Sequence, residues 1–383
     1  MTAFVPFLAP GEVAKILVEK QSKRFLEGDV TEITETAPER VVPPCPYFGE
    51  CGGCDLQHIE YSAQLAHKRE MVIGAFRAGG FAPEVLACIA PVVSGKPYGY
   101  RQRVALHTDN DGKIGYYRRR SHALLPVVDC PIAVDPIREF LAKAPELPKG
   151  FGKGTLYIEA TDTQVFGSLR LESTAVKSTA PLLRRLEGWF TGASVEAGRI
   201  VEESGFSWAE SPRVAGEFAQ ANAEINEALV SKVRHIAQEG GAKTAYDLYA
   251  GSGNFALPLA GDGVRTTAVE ISTVLVSAGR SAARQRGVAN SVQFRAGTVE
   301  RFVEQSPTPV DLIIADPPRG GLEKIASQFT FAPEMLLISC HLPSAVRDLK
   351  NLTAIGWQII EITPYDMFAQ TAHVELLTRL RRT

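Results

Sequence analysis

The sequence predicts an α/β protein whose C-terminal part folds as a doubly wound, mostly parallel sheet behind an antiparallel central region. Three observations carry this reading. From Gln220 onward, short apolar runs alternate with helix-period segments, and that alternation requires crossover connections between parallel strands. The first of those runs ends in a glycine turn, "DLYAGSGNF". From about 96 to 218, by contrast, short apolar runs are separated by tight turn signals such as "DNDG", the rhythm of antiparallel strands.

A chain of 383 residues, 45% hydrophobic and 22% charged, is long enough for two or three domains with cores of their own. The net charge of -2 offers no global attraction to nucleic acid, so any such binding must come from a local patch. The start "MTAFVPFLAPGEVAKILVEK" has no basic leader followed by a long apolar run, and nowhere do about eighteen apolar residues succeed one another. The expectation is a cytoplasmic protein with no membrane partner, acting as a monomer.

Along the chain, "EVAKILVEK" and "EGDVTEITETAP" read as strands of a small β unit, and "APERVVPPC" breaks regular structure. Between Asp55 and Phe76 a stripe of Leu65, Val72, Ile73 and Phe76 predicts a helix. The antiparallel region follows with "RVALHT", "KIGYY", "TLYIEA", "VFGSLRLE" and "RIVEE". It carries the basic patch: Lys96, Arg101, Arg103, Lys113, Arg118, Arg119 and Arg120 stand against only Asp109 and Asp111, with Tyr98, Tyr100, Tyr116 and Tyr117 interleaved. A solvated hairpin would look the same, but tyrosines among arginines suit both phosphates and unstacked bases.

After Phe218 a helix pattern from Gln220 to Ala237 leads into seven strands: "TAYDLY", "RTTAVE", "SVQFRA", "VDLIIA", "MLLIS", "WQIIEIT" and "HVELLTRL". Helices are predicted at "TVLVSAGRSAARQRG" and from about Pro343. The domains expected are therefore 1–44, 45–218 and 219–383, and the helix near 64–76 is a candidate to pack on the last of them.

In the glycine turn, Asp247 ends a strand, Gly251 and Gly253 form the loop, and an apolar helix begins beyond. Small residues there let a ligand approach the backbone, and the helix start offers free N–H groups. Glu270, 23 residues after Asp247 and at the end of the next strand, can accept both ribose hydroxyls of an adenine nucleotide. Gly251-x-Gly253-x-x-Ala256 alone does not separate NAD from S-adenosylmethionine.

The stretch "IIADPPRGGL" does. Asp316 closes the fourth strand, and two prolines without N–H groups hold a rigid extended turn. An acidic-Pro-Pro turn resembles the catalytic turn of S-adenosylmethionine methyltransferases. Those that methylate exocyclic amines usually follow the prolines with an aromatic residue; Arg319 stands here, which argues against an amine target. Cys340, between strand "MLLIS" and the next helix, points to carbon instead. Uracil C5 is a poor nucleophile, but a thiolate added at C6 makes C5 an enolate able to attack a sulfonium methyl. A base must then remove the C5 proton before the cysteine can leave.

Taken together, "DLYAGSGNF", "DPPRGGL", "SCHLPSAVRDL" and "AQTAHVELL" resemble the uracil-5 methyltransferase family of transfer and ribosomal RNA. The resemblance covers nearly the whole chain. It implies a seven-stranded Rossmann-like methyltransferase domain, S-adenosylmethionine as methyl donor and RNA as substrate. It further implies that Cys340 is the nucleophile, that Glu375 is the base, and that Gln220, Tyr249, Asn254, Glu270 and Asp316 hold the methyl donor or the uracil. Arg319 would lie close to the base.

Three cysteines, Cys45, Cys51 and Cys54, fall within "CPYFGECGGC", and Cys130 in "VVDCPI" is a plausible fourth ligand. In a reducing compartment, four thiolates suit zinc or an iron-sulfur cluster. The spacing alone does not separate the two; the resemblance implies a [4Fe-4S] cluster. Cys88 is expected to pack in the core.

The chain departs from the family pattern twice. The 44 residues before Cys45 resemble only the second half of a five-stranded, OB-like TRAM barrel, so either the barrel is truncated or the true start lies upstream. In "FRAGTVE", Thr298 replaces an acidic residue that would often touch adenine. Other readings are a cytosine-C5 or other-substrate methyltransferase of the same fold, and an iron-sulfur or zinc RNA-binding protein without catalysis. An NAD oxidoreductase would give neither the Asp316 turn nor Cys340 a role.

Overall fold

A computed structural model describes residues 2–111, 113–144, 152–161, 163–173, 178–204, 220–305 and 307–382. The predicted boundary at Phe218 lies outside the described residues. Three sheets organise the described residues. The first joins β1 (Thr2–Phe4), β2 (Val13–Gln21) and β3 (Phe25–Glu35) in the order β1-β3-β2, with β1 parallel and β2 antiparallel to β3. Its flanks are tied down where the Glu12 carboxylate accepts from Arg40 and from the Ala9 backbone N–H.

The central sheet has seven strands in the order β10-β9-β8-β7-β4-β5-β6. They are β4 (Arg103–Thr108), β5 (Ile114–Tyr117), β6 (Leu124–Leu125), β7 (Gly154–Ala160), β8 (Val165–Leu171), β9 (Gly192–Ala197) and β10 (Ile200–Ser204). One pairing departs from the antiparallel expectation. The segment between β8 and β9 carries a helix, α4 (Ala180–Leu186), that crosses over and brings β9 in parallel to β8. Leu106, Leu156, Ile158 and Val195 bury one face of the sheet against Ile137 and Leu141 of α3 (Asp135–Lys143) and Leu186 of α4.

The third sheet has the order β13-β12-β11-β14-β15-β17-β16. Five parallel strands, β11 (Thr244–Leu248), β12 (Arg265–Glu270), β13 (Val292–Ala296), β14 (Leu312–Ala315) and β15 (Glu334–Ser339), are completed by β16 (Trp357–Tyr365) and an antiparallel β17 (Glu375–Arg382). Leu336, Ile338, Ile314 and Leu312 are covered from one side by α5 (Ala223–Glu239). Asn222 caps that helix by accepting the Ile225 N–H at 3.2 Å, so it starts three residues after the predicted Gln220. The opposite face meets α9 (Leu342–Ala354) and α1 (Tyr61–Ala78).

Helix α1 belongs to the core of this sheet, but its buried stripe shares only Val72 and Phe76 with the predicted one. Gln64, Lys68, Val72 and Phe76 point inward at intervals of four, while Leu65 and Ile73 are half-buried. Two of the four are polar, and each has an internal partner. Lys68 Nζ donates to Asp366 Oδ1 and to the Phe368 carbonyl, and Gln64 Nε2 donates to the Ile59 carbonyl at 2.7 Å and to Gln370 Oε1 at 3.0 Å. Cys88 follows a short helix, α2 (Pro83–Ala87), and is half-buried rather than enclosed in the core. No described helix is long and apolar enough to cross a membrane.

Candidate active site

The carboxyl ends of the parallel strands open onto one cavity of about 1300 Å³, which continues beneath the central sheet to the cysteine loop. At its floor, β11 turns into the glycine loop. Tyr249 and Gly251 both take positive φ there, at 62° and 56°. Gly253, at 97°, leaves no room for a side chain, because a Cβ would stand 2.8 Å from the Phe294 ring. Asp247, fully buried, accepts the Ala256 N–H at 2.8 Å and so holds the start of the next helix, α6 (Ala256–Gly261). Burial pushes its pKa up to about 8, despite that hydrogen bond.

Glu270 reaches back from the end of β12. One carboxylate oxygen accepts the Gly251 N–H at 2.9 Å and the other accepts the Ser272 N–H at 2.8 Å. Two backbone donors thus fix the carboxylate at the lip of the glycine loop, and each oxygen keeps a lone pair for a ribose hydroxyl. Next to it, Ile271 lines the cavity with 69% of its surface exposed, an apolar wall suited to the flat face of an adenine. Thr298 also lines the cavity, but its hydroxyl accepts the Arg301 N–H and caps α8 (Val299–Glu304). Glu300, two residues on, brings the carboxylate that Thr298 lacks to the same cavity.

Across the sheet stand Asp316, Cys340 and Glu375. Asp316 follows β14, and its N–H donates to the Leu248 carbonyl. It sits deep in the cavity, and desolvation lifts its pKa to about 7. Cys340 follows β15 and Glu375 begins β17; because Ser339 pairs with Leu376, the two side chains emerge from neighbouring strand ends. Glu375 is 4% exposed, and its Oε1 has no hydrogen-bond partner among the described residues. Burial first, and the Asp316 carboxylate second, hold its pKa well above the ordinary range. Burial also raises the Cys340 thiol, with Glu375 and Asp316 adding to the effect and Arg319 opposing it.

The two loops that carry these groups are tied together. His341 Nδ1 and Ser344 Oγ lie 2.9 Å apart, and that hydroxyl donates to the Arg319 carbonyl at 2.7 Å. Asp348, buried in α9, accepts the Leu322 N–H at 2.6 Å. The Asp-Pro-Pro-Arg turn is therefore held against the helix that begins just after Cys340.

Of the residues expected from sequence, Gln220, Tyr249, Glu270, Asp316, Arg319, Cys340 and Glu375 line this one cavity. Asn254 does not. Its amide pairs reciprocally with Asn226 of α5, at 2.9 and 3.0 Å. Lining residues that sequence reasoning left unassigned include Phe368, Thr371 and His373, all from the β16–β17 connection. The quoted "AQTAH" contained two of them, and their proximity to Glu375 in sequence was the available signal.

The cysteines gather at the other end. Cys45, Cys51, Cys54 and Cys130 all line the cavity wall, and the four thiols lie within electrostatic reach of one another. Burial raises each thiol, Cys54 to about 12. Among the described residues, no three His, Cys, Asp or Glu side chains form a group that could hold a single metal ion. The loop is anchored where Gly52 N–H donates to the Tyr117 carbonyl and Arg119 N–H to the Glu50 carbonyl.

Comparison with known proteins gives a consistent picture. The model of the tRNA (uracil-5-)-methyltransferase family matches residues 212–383. The 23S rRNA (uracil(1939)-C(5))-methyltransferase RlmD of Halomonas elongata is 32% identical, across 99% of this chain and 84% of its own. Its counterpart in Chromohalobacter salexigens is 31% identical, across 100% and 85%. The fold is similar to the crystal structure of Pyrococcus abyssi tRNA (uracil-54, C5)-methyltransferase in complex with S-adenosyl-L-homocysteine. The TM-score is 0.73 at 23% identity, over 98% of this chain and 95% of that one.

Proposed function

The chain belongs to the family of RNA uracil-C5 methyltransferases, and from that premise we propose that it methylates one uridine of large-subunit ribosomal RNA through a transient bond to Cys340. It is an S-adenosylmethionine-dependent enzyme. The ribosomal substrate is supported by the 23S rRNA relatives, which match nearly the whole chain. The observation that carries the mechanism is the meeting of Cys340 and Glu375 at paired strand ends, on the cavity that also holds the glycine loop and Glu270.

Bound S-adenosylmethionine supplies an electrophilic methyl on a positively charged sulfur and departs as a neutral thioether. The target uridine must leave its stack to reach so enclosed a pocket. Deprotonated Cys340 adds to C6, and the electron pair moves to C5, which takes the methyl. Glu375 then accepts the C5 proton, the C5–C6 double bond re-forms, and the Cys340 sulfur leaves. Electrostatics time the base. A sulfonium bound in the same cavity would favour Glu375 as a carboxylate; once that positive charge is gone, burial and Asp316 raise its proton affinity when a proton must be taken.

Cys45, Cys51, Cys54 and Cys130 fit an iron-sulfur cluster in the same reading. In a [4Fe-4S] cube each thiolate takes its own iron, so the sulfurs stand wider apart than around a single zinc. Four thiols on one cavity wall, each within electrostatic reach of the others, supply the four ligands that such a cluster takes. The cluster would pin the loop to the end of the central sheet and so shape the RNA surface, with no electron transfer asked of it.

The deciding experiment treats the enzyme with RNA carrying 5-fluorouridine at the target, which cannot lose its C5 substituent as a proton. A covalent complex is expected with the intact enzyme and none with Cys340→Ala, together with complete loss of 5-methyluridine. Full turnover in Cys340→Ala would overturn the mechanism. Position mapping of 5-methyluridine in RNA from cells lacking the gene tests the ribosomal substrate.

A further inference from the structure

The cavity, about 1300 Å³, extends past the glycine loop and Cys340 to strands of the central sheet. That extension has a built wall. His107 of β4 and Tyr117 of β5 stack face to face, with ring centroids 3.7 Å apart and planes 9° from parallel, and both line the cavity that also holds Cys340. Thr155 Oγ1 steadies the imidazole at 3.2 Å from Nδ1, and the His122 ring packs T-shaped against Tyr117 at 5.1 Å. A stacked pair held by its neighbours is a preformed platform, because the rings lose little freedom when a further plane is added.

Three consecutive cations follow. Arg118 and Arg120 are paired with Glu50 and Glu19 on the half-exposed rim. Arg119 differs: its guanidinium lies 4.4 Å from the Phe7 ring centroid, and its Nη1 has no hydrogen-bond partner among the described residues. A cation with a donor to spare, next to an aromatic stack, matches a nucleotide: base on the rings, phosphate on the guanidinium.

We propose that His107 and Tyr117, with Arg119, form a second nucleotide subsite, which takes an unstacked base adjacent to the target uridine in the same RNA. The proposal rests on the uridine-methylation reading. The choice of occupant follows from continuity: one cavity joins the stack to Cys340, so an RNA strand whose target base is flipped passes over the platform. Holding a neighbour out of its stack keeps the target from re-stacking, which gives the subsite a part in substrate selection.

The test uses the intact enzyme, a stem-loop RNA carrying the mapped target uridine, and copies of that RNA with a single abasic replacement at each nearby position. Formation of 5-methyluridine on the unmodified stem-loop checks the underlying reading independently. Tyr117→Ala is expected to weaken RNA binding about ten-fold, with S-adenosylmethionine binding unchanged and Tyr117→Phe restoring affinity. One abasic position should cost the native enzyme a similar factor and cost Tyr117→Ala nothing further. His107→Ala should behave the same way and serves if Tyr117→Ala fails to fold. Losses that multiply at every position, or native affinity in both alanine variants, would overturn the subsite.

Discussion

Cys340 and Glu375 leave adjacent antiparallel strands at the same level of the sheet: Ser339 pairs with Leu376, so the residue after one and the residue before the other stand side by side. Backbone hydrogen bonding, rather than a mobile loop, therefore sets the separation of the proposed nucleophile and base.

In the proposed mechanism Glu375 acts only after the methyl group has moved, so its loss should trap the reaction halfway. Glu375→Gln keeps the side-chain shape but cannot accept a proton. It is expected to accumulate a protein-RNA adduct on ordinary uridine RNA, seen as a slow band on denaturing gels that carries the labelled methyl. Prompt release of 5-methyluridine from that variant would assign the base elsewhere, Asp316 being the next carboxylate at hand.

The four-cysteine set makes its own demand. Protein purified without oxygen should hold about four irons per chain, and Cys54→Ser should lose most of them, since Cys54 is the most deeply placed of the three loop thiols. Iron and sulfide analysis with near-ultraviolet absorbance reads this directly. Stoichiometric zinc without iron would replace the cluster with a single-ion site.

Much of this was legible in the sequence because the responsible physics is local. Strands buried on both faces read as apolar runs, and a cysteine at a strand-to-helix junction announces itself by position. Cys340 and Asp316 could be found that way. What could not be read depends on partners far along the chain. Lys68 lies on the buried stripe of α1 only because Asp366, 298 residues later, meets it there. Asn254 stands in a motif expected to bind ligand, and its motif does not show the reciprocal amide bond to Asn226 that orients it. The parallel pairing of β8 with β9 required knowing that a helix of seven residues suffices for the crossover.

The Lys68–Asp366 pair gives the third expectation. Both residues are 1% exposed, Tyr61 Oη donates to Asp366 Oδ2 at 2.7 Å, and Asp366 begins the connection that brings Phe368, Thr371 and His373 to the cavity. Removing one member leaves a buried charge unpaired. Lys68→Met should cost roughly 3 to 5 kcal/mol of stability, and adding Asp366→Leu should recover a large part of it. Urea unfolding of the single and double variants measures both; a double variant no more stable than the single would show that the charge itself is not the cost.

Asp247 gives a pH dependence with a definite sign. Its folded-state pKa, about 8, lies above the ordinary 3.8, so between those values the native protein binds a proton that the unfolded chain has released. Its contribution is complete below about pH 4 and is lost as pH rises toward 8. Asp316 and Glu375 are raised as well, so they tilt the native curve in the same direction. Asp247→Asn keeps a carbonyl oxygen for the Ala256 N–H and cannot ionise. Its stability, from urea midpoints of ligand-free protein at pH 5, 6, 7 and 8, should fall less steeply than that of the native chain. The difference in slope should be close to one proton, about 1.4 kcal/mol per pH unit. Parallel curves would mean that Asp247 is already ionised across the range, and that the helix start it caps supplies enough positive field to hold a buried carboxylate.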